Sequence, residues 1–281
     1  MGGLKMNPLV SIIIPIYNVE KYLKNCLLSV KNQTYGNFEA ICINDGTKDN
    51  SEKVFYETVG NDPRFKLFTK KNGGLSSVRN LGLSLAQGEL ISFVDSDDTI
   101  HMNYLEELVK GIVEYDCDIS ICGHNINYPR FTIPSCFPKT TIMKQKTALS
   151  FLMSDMMIKN YSWGKCYKKK LWKDIQFPEN KTYEDVETIC KTFMRSHRFY
   201  VSNKLLYNYE IRQGSISQQK AAGRNRELKR AYRHQMNIVT KKYPTLKPFG
   251  YINLFKADIM HLCNNNEMRF YVTDKTKNGN F

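Results

Sequence analysis

Three carboxylates within four positions, Asp95, Asp97 and Asp98, stop the apolar run Leu90-Ile91-Ser92-Phe93-Val94. Carboxylates this close repel one another unless a cation, or a metal bound to phosphate, lies among them. Their hard oxygen donors suit Mn²⁺ or Mg²⁺. Another carboxylate, Asp45, follows a separate apolar run, and an acidic stretch, Glu184-Asp185-Val186-Glu187, opens a later helix. The competing reading of Asp95 to Asp98 is a solvated turn that caps a helix starting near Met102.

The elements around these residues decide between the two readings. Leu90 to Val94 is short, rich in β-branched and aromatic residues and preceded by Gly88, as expected of a central strand covered on both faces. Val10 to Ile14 reads as a first strand ending at Pro15-Ile16-Tyr17-Asn18, before a helix whose apolar face is Tyr22, Leu23, Cys26, Leu27 and Val30. Phe38 to Ile43 reads as a second strand ending at Asn44-Asp45-Gly46, and Phe65 to Phe68 as a third. Strands alternating with helices predict a mostly parallel sheet with right-handed crossovers. Pro15 to Asn18, Asn44 to Gly46 and Asp95 to Asp98 then share the C-terminal edge, where open α/β sheets bind ligands.

A helix from Met102 to Tyr115 and a strand from Asp118 to Cys122 complete this part. From His124 to about Lys144 the pattern lapses around Pro129, Pro134 and Pro138, as in a boundary or a hairpin-like excursion. Helices follow near Thr147 to Met157 and from Glu184 to about Ser196, then strand-like alternation from Arg198 to Ile211. The expected organisation is a first half over residues 1–123, a second half of the same domain over 124–218, and a basic helical C-terminal region over 219–281.

Charge divides the chain in the same way. Residues 1–159 hold 17 Lys/Arg and 17 Asp/Glu, whereas residues 160–281 hold 24 and 10, so the net +14 lies wholly in the second part. Such an excess points to an anionic partner: nucleic acid, an acidic membrane surface or a phosphorylated substrate. Basic helical sequence followed by Phe249 to Phe255 and Ile259 to Leu262 has the composition of an interfacial helix, and equally of one packed on the catalytic part. No apolar run approaches the roughly 20 residues of a membrane span. The N-terminus lacks the order of a secretion signal, and the eight cysteines form no CxxC pair, so reduced, buried thiols are expected. The expected location is cytoplasmic, peripheral on the inner face of the cell membrane if the basic part binds there.

In sequence order, Pro15 to Asn18, Gln33-Thr34-Tyr35, Asn44 to Asp49, Asn72-Gly73-Gly74-Leu75-Ser76 with Arg79-Asn80, and Asp95 to Asp98 resemble family 2 glycosyltransferases of the GT-A fold. Downstream, Trp163-Gly164-Lys165, Glu184-Asp185, and Tyr209 with Arg212 and Ser215 to Ser217 resemble the second part of bacterial polysaccharide and lipopolysaccharide enzymes of that family. The resemblance implies an α/β, Rossmann-like sheet flanked by helices. It implies inverting transfer of a sugar from a nucleotide diphosphate, usually UDP, to a hydroxyl of a glycan or lipid-linked glycan. Pro15, Tyr17 and Asn18 would wall the base pocket, and Asp45 would accept a hydrogen bond from uracil. Asp95 and Asp97 would form the DxD pair, Asp97 on the divalent cation with the diphosphate, Asp95 near the ribose and the cation, and Ser96 would belong to the donor nucleotide site. Arg79 would support the nucleotide or brace the acidic loop, and Asp185 would be the catalytic base. Asn44 departs from the family, which often has a second Asp there.

Other readings are weaker. A dehydrogenase would carry GxGxxG after its first strand, and a nucleotidylyltransferase a Gly-rich basic loop; Pro15 to Asn18 offers neither. The non-enzyme alternative is a nucleic-acid-binding module using Arg224, Arg226, Lys229, Arg230 and Arg233 beside a catalytically inactive domain.

Overall fold

The computed structural model describes residues 6–211 and 224–265, with the side chains of 224–225 and 260–265 excepted. Four parallel strands, β1 (Val10–Ile16), β2 (Phe38–Asn44), β3 (Phe65–Thr69) and β4 (Leu90–Phe93), lie in the order β3-β2-β1-β4. They alternate with α1 (Glu20–Lys31), α2 (Ser51–Val59) and α3 (Gly74–Leu85). Every residue of β2 and β4 is buried, because both faces of the sheet are covered. One core gathers Leu23, Leu27 and Val30 of α1 with Phe55 and Val59 of α2; the other gathers Val78 of α3 with residues of later helices.

The first strand runs two residues past its expected end. Ile13 directs its carbonyl to Val94 N at 3.1 Å, and Ile16 directs its own to Asp45 N at 2.9 Å, so alternate residues face opposite neighbours. Pro15 therefore faces the β4 side just where pairing with β4 has stopped, and its missing N–H costs no sheet hydrogen bond.

The sheet continues through β5 (Thr99–Ile100), β6 (Ile119–Asn127), β7 (Thr132–Ser135), β8 (Thr141–Lys144), β9 (Lys165–Lys168) and β10 (Arg198–Glu210), with α4 (Tyr104–Val113), α5 (Gln145–Ser154) and α6 (Glu184–Arg195) between them. The region expected as a lapse contains the end of β6 and its hairpin with β7, so the boundary placed at 123/124 falls inside a strand. β9 inserts antiparallel between β4 and β6. Two of its residues, Lys165 and Lys168, are buried lysines. Lys165 Nζ donates to the Tyr161 and Trp163 carbonyls at 2.7 and 3.3 Å, and Lys168 Nζ pairs with Asp116 and Asp118 at 3.1 and 3.4 Å. Internal acceptors replace water, and the strand can enter the sheet.

Two long helices follow, α7 (Arg224–Lys242) and α8 (Lys247–Asn265), joined by a 3₁₀ turn at Pro244–Leu246. They pack on the body: Gln235 of α7 donates to Asn160 Oδ1 at 2.6 Å, and Asn253 of α8 donates to the Met153 carbonyl, also at 2.6 Å. The opposite side of α8 leaves Tyr251, Ile252, Phe255 and Ile259 exposed, Phe255 by 65%. Met260, His261 and Leu262 of the same expected apolar stretch lie outside the described side chains. Among the described residues no helix is long and apolar enough to cross a membrane. The seven described cysteines are free thiols, and all but Cys136 are buried.

Candidate active site

The strand ends β1, β2 and β4 bring the expected motifs to one rim. Asp45, at the end of β2, is almost wholly buried. Its Oδ1 accepts from Lys70 Nζ at 2.8 Å and Gly73 N at 2.9 Å, and its Oδ2 from Gly74 N at 2.8 Å. Gly74, at φ +82°, has the left-handed backbone that glycine tolerates best. The carboxylate thus fixes the start of α3 as well as the rim. Asn44 is used locally, accepting from Thr47 N at 2.8 Å and donating to Glu52 at 3.0 Å. Tyr17 is exposed, and Asn18, at φ 51°, accepts from Lys48 N at 3.0 Å, so the β1 and β2 ends form one connected wall.

The acidic loop separates into different roles. Asp98 is fully buried: its Oδ2 accepts from Tyr207 Oη at 2.7 Å and its Oδ1 from Glu210 N at 2.9 Å. Tyr207 Oη also accepts from Asp95 N at 3.2 Å, so one phenol ties the loop to β10. Burial pushes the Asp98 carboxyl well up, with Asp95 and Asp97 adding to it. Asp95 is raised by burial and by Asp97 against the pull of Arg79. Ser96 is buried between them, and Asp97 is half-buried at the rim. Among the described residues no three His, Cys, Asp or Glu side chains form a group able to hold a metal ion. The donor set fits a cation completed by substrate, since Mg²⁺-like ions are commonly held by one or two carboxylates plus phosphate oxygens.

Arg79, 3% exposed, spans the two acidic motifs. Nη1 donates to Glu184 Oε1 at 2.8 Å and Nη2 to Asp95 Oδ1 at 3.2 Å, while its guanidinium carbon lies 5.3 Å from the centre of the Phe177 ring. The guanidinium thus links the acidic loop to the start of α6, and its Nε is buried without a hydrogen-bond partner. Helix α3 also holds the approach to α6: Ser76 Oγ donates to the Pro178 carbonyl at 2.8 Å, and Asn80 exchanges hydrogen bonds of 2.8 and 2.9 Å with Phe177.

Tyr183, just before α6, has φ 59°, a conformation that costs a bulky residue about 1–2 kcal/mol. It turns the chain so that Glu184 and Asp185 open the helix at the rim. The Asp185 carboxyl is pushed up to about 8 by burial and by Glu184, while Arg79 and the Val186 N–H pull it down. Glu187, the next acid, is paired with Lys181 at 3.6 Å. A cleft of about 240 Å³ runs between Gly73–Ser76 and Asn180–Glu184, closed on one side by Glu227 of α7. A larger cavity of about 360 Å³, lined by Asn80, Trp172 and Asp174 among others, contains none of the rim carboxylates.

The rim thus brings together Pro15, Tyr17, Asn18, Asp45, Asp95, Ser96 and Asp97, and Arg79 joins Asp185's helix to them. Sequence reasoning missed Tyr207, Lys70 and Glu227. The alternation of Tyr207 with Tyr209 on a strand was the one available signal for the first. Arg212 and Ser215 to Ser217 lie outside the described residues.

Comparison with known proteins agrees with this architecture. Residues 1–349 of S. aureus TarS, solved in complex with UDP-GlcNAc, superpose with a TM-score of 0.72 at 24% identity, covering 90% of this chain and 72% of that one. The mannosyltransferase PcManGT from Pyrobaculum calidifontis, in complex with GDP-Man and Mn²⁺, superposes at 0.64 with 18% identity, covering 92% and 72%. The fold is that of GT-A glycosyltransferases. Residues 11–135 match the model of Glycosyl transferase family 2. The chain is 35% identical over 219 residues to glycosyltransferase GlyA of Streptococcus pneumoniae serotype 4, covering 74% of this chain and 31% of GlyA. It is 30% identical over 225 residues to glycosyltransferase GlyG of the same organism, covering 75% and 73%. The chain belongs to glycosyl transferase family 2, and it spans under a third of GlyA's length.

Proposed function

We propose that the chain transfers a sugar from a nucleotide diphosphate, UDP foremost, to a hydroxyl of a glycan or lipid-linked glycan, with inversion in a single displacement. The observation that carries this reading is the Arg79 bridge, which joins Asp95 of the acidic loop to Glu184 beside Asp185. It supports a donor site and a base built as one unit.

In this reading Pro15, Tyr17 and Asn18 wall the base pocket. Asp45 has about four acceptor positions as a carboxylate; Lys70, Gly73 and Gly74 fill three, and the fourth suits the uracil N–H. Asp95 and Ser96 orient the ribose and diphosphate, and Asp97 holds Mn²⁺ or Mg²⁺. When bound, that cation would offset charge on the departing diphosphate. Asp185 takes the proton of the acceptor hydroxyl as its oxygen bonds to the anomeric carbon and the bond to the diphosphate breaks. A carboxyl titrating near 8 is a strong enough base for that task, provided it is ionised. The exposed side of α8 beside the basic α7 favours an anionic membrane surface as the place where a lipid-linked acceptor is met.

The test is release of UDP, GDP or dTDP from the corresponding sugar donors, with Mn²⁺ and with EDTA. Cation-dependent release from one nucleotide class is expected. Absence of binding and turnover with all three classes would overturn the reading.

A further inference from the structure

The β6–β7 hairpin ends in the turn Tyr128-Pro129-Arg130-Phe131, closed by a 2.9 Å hydrogen bond from Tyr128 N to the Phe131 carbonyl. Pro129 presets the backbone angle at the second position, so the turn needs no aromatic residues to form. Yet the Tyr128 and Phe131 rings lie stacked, 4.6 Å apart at 19°, and they are 37% and 57% exposed. A flat apolar pair facing water contributes little to the core and calls for an occupant.

Its position is set by the sheet. β6 is parallel to β10, and two antiparallel steps through β9 make it parallel to β4 as well. The C-terminal end of β6 therefore opens on the same edge as the acidic loop. Glu210 N donates to Asp98 Oδ1 at 2.9 Å, Glu210 pairs with Asn127, and Asn127 Nδ2 donates back to Glu210 Oε1 at 2.6 Å. Tyr128 is the next residue, so roughly two strand spacings of about 5 Å separate the platform from the acidic loop.

Further aromatic rings lead from there toward Asp185. Trp163 stacks on Tyr209 at 5.5 Å and on Tyr161 at 4.5 Å. Burial, then Asp155, Tyr209, Asp185 and Tyr128, push the Tyr161 hydroxyl up, which puts that ring in electrostatic reach of both Asp185 and the platform.

Building on the glycosyltransferase reading, we propose that Tyr128 and Phe131 form a stacking platform for a pyranose ring of the acceptor glycan. One face of a pyranose presents polarised C–H bonds, which match the negative face of an aromatic ring. Sugar sites of this kind pair aromatic walls with a few polar groups. A polyol phosphate chain has no such flat face, so the platform selects a ring over a flexible anionic acceptor.

Saturation-transfer NMR on the full chain tests this, with methyl β-glucopyranoside, methyl β-galactopyranoside and methyl N-acetyl-β-glucosaminide as probes, glycerol 3-phosphate as the polyol comparison, and UDP in the same tube. Ring C–H signals of at least one pyranoside should saturate in the wild type. They should fall about five-fold in Phe131→Ala and in Tyr128→Ala, the loss of one stacking contact, and recover in Phe131→Trp, with the UDP signal unchanged throughout. Pyranoside signals equal in the wild type and both alanine variants, or saturation of glycerol 3-phosphate alone, would overturn the platform. A pyranoside signal that depends on Phe131 with no UDP signal would instead defeat the donor reading and leave the platform standing.

Discussion

Arg79 Nη1 lies 2.8 Å from Glu184 Oε1, joining residues 105 positions apart. Its other terminal nitrogen reaches Asp95, so one buried cation ties the acidic loop to the helix that Glu184 and Asp185 open. Removing it leaves two carboxylates facing each other next to Asp185. Arg79→Met is expected to lose about 3–5 kcal/mol of stability, the usual cost of stripping one partner from a buried ion pair. It should also move the midpoint of the pH–rate profile above that of the wild type, because Arg79 holds the Asp185 carboxyl down. Denaturant melts and a pH series check both, and an unshifted midpoint would separate Arg79 from the base.

Asp97 and Asp98 are neighbours with opposite expected phenotypes. Asp97→Ala should abolish cation-dependent nucleotide release with little change in melting temperature, since a half-buried rim carboxylate contributes little to the core. Asp98→Ala should unfold more easily, because Tyr207 Oη and Glu210 N lose their acceptor at about 1–3 kcal/mol for each buried group. Thermal melts beside a release assay distinguish the pair; full activity in Asp97→Ala would remove the cation role.

Asp45→Ala should weaken UDP binding and also destabilise the fold. Its carboxylate accepts from one ammonium and two backbone N–H groups, and hydrogen bonds to charged groups contribute about 1.5–3 kcal/mol. Calorimetry with UDP, run below the melting range of the variant, reads the first effect. Unchanged affinity would leave Asp45 as the organiser of the Gly73–Gly74 turn alone.

Phe255→Asp with Ile259→Asp should abolish co-sedimentation with anionic vesicles while leaving nucleotide release intact. Basic residues near an anionic leaflet contribute about 1 kcal/mol each and are screened by salt. Equal binding to anionic and neutral vesicles by the wild type would refute a charge-assisted docking of α8.

Much of the rim was legible because periodicity and turn chemistry are local. β1, β2 and β4, the helices between them, and the carboxylates at their ends could all be read in order. What escaped depends on distant partners. Sequence reasoning missed β9 as a strand, and its Lys168 is matched by Asp118 and by Asp116, 52 positions away. β5 is two residues long and exists through its pairing with Tyr207 and Asn208. Asp98 looked like one more rim acid because nothing near it announces Tyr207, 109 positions away. For α8, composition allowed either packing or exposure, and the helix has one side of each.

The central claim, a base at Asp185 coupled to the donor rim, is tested most directly by kcat/KM for nucleotide release against pH, wild type beside Asp185→Asn, with the donor found in the nucleotide screen. The carboxyl must be ionised to accept a proton, so wild-type activity should rise with pH to a midpoint near 8 and fall about ten-fold per unit well below it. Asp185→Asn should bind UDP as the wild type does, lose about 10²–10⁴ in rate and lose the rising limb. Near-normal rates in that variant, with the same limb intact, would contradict the account and place the base elsewhere.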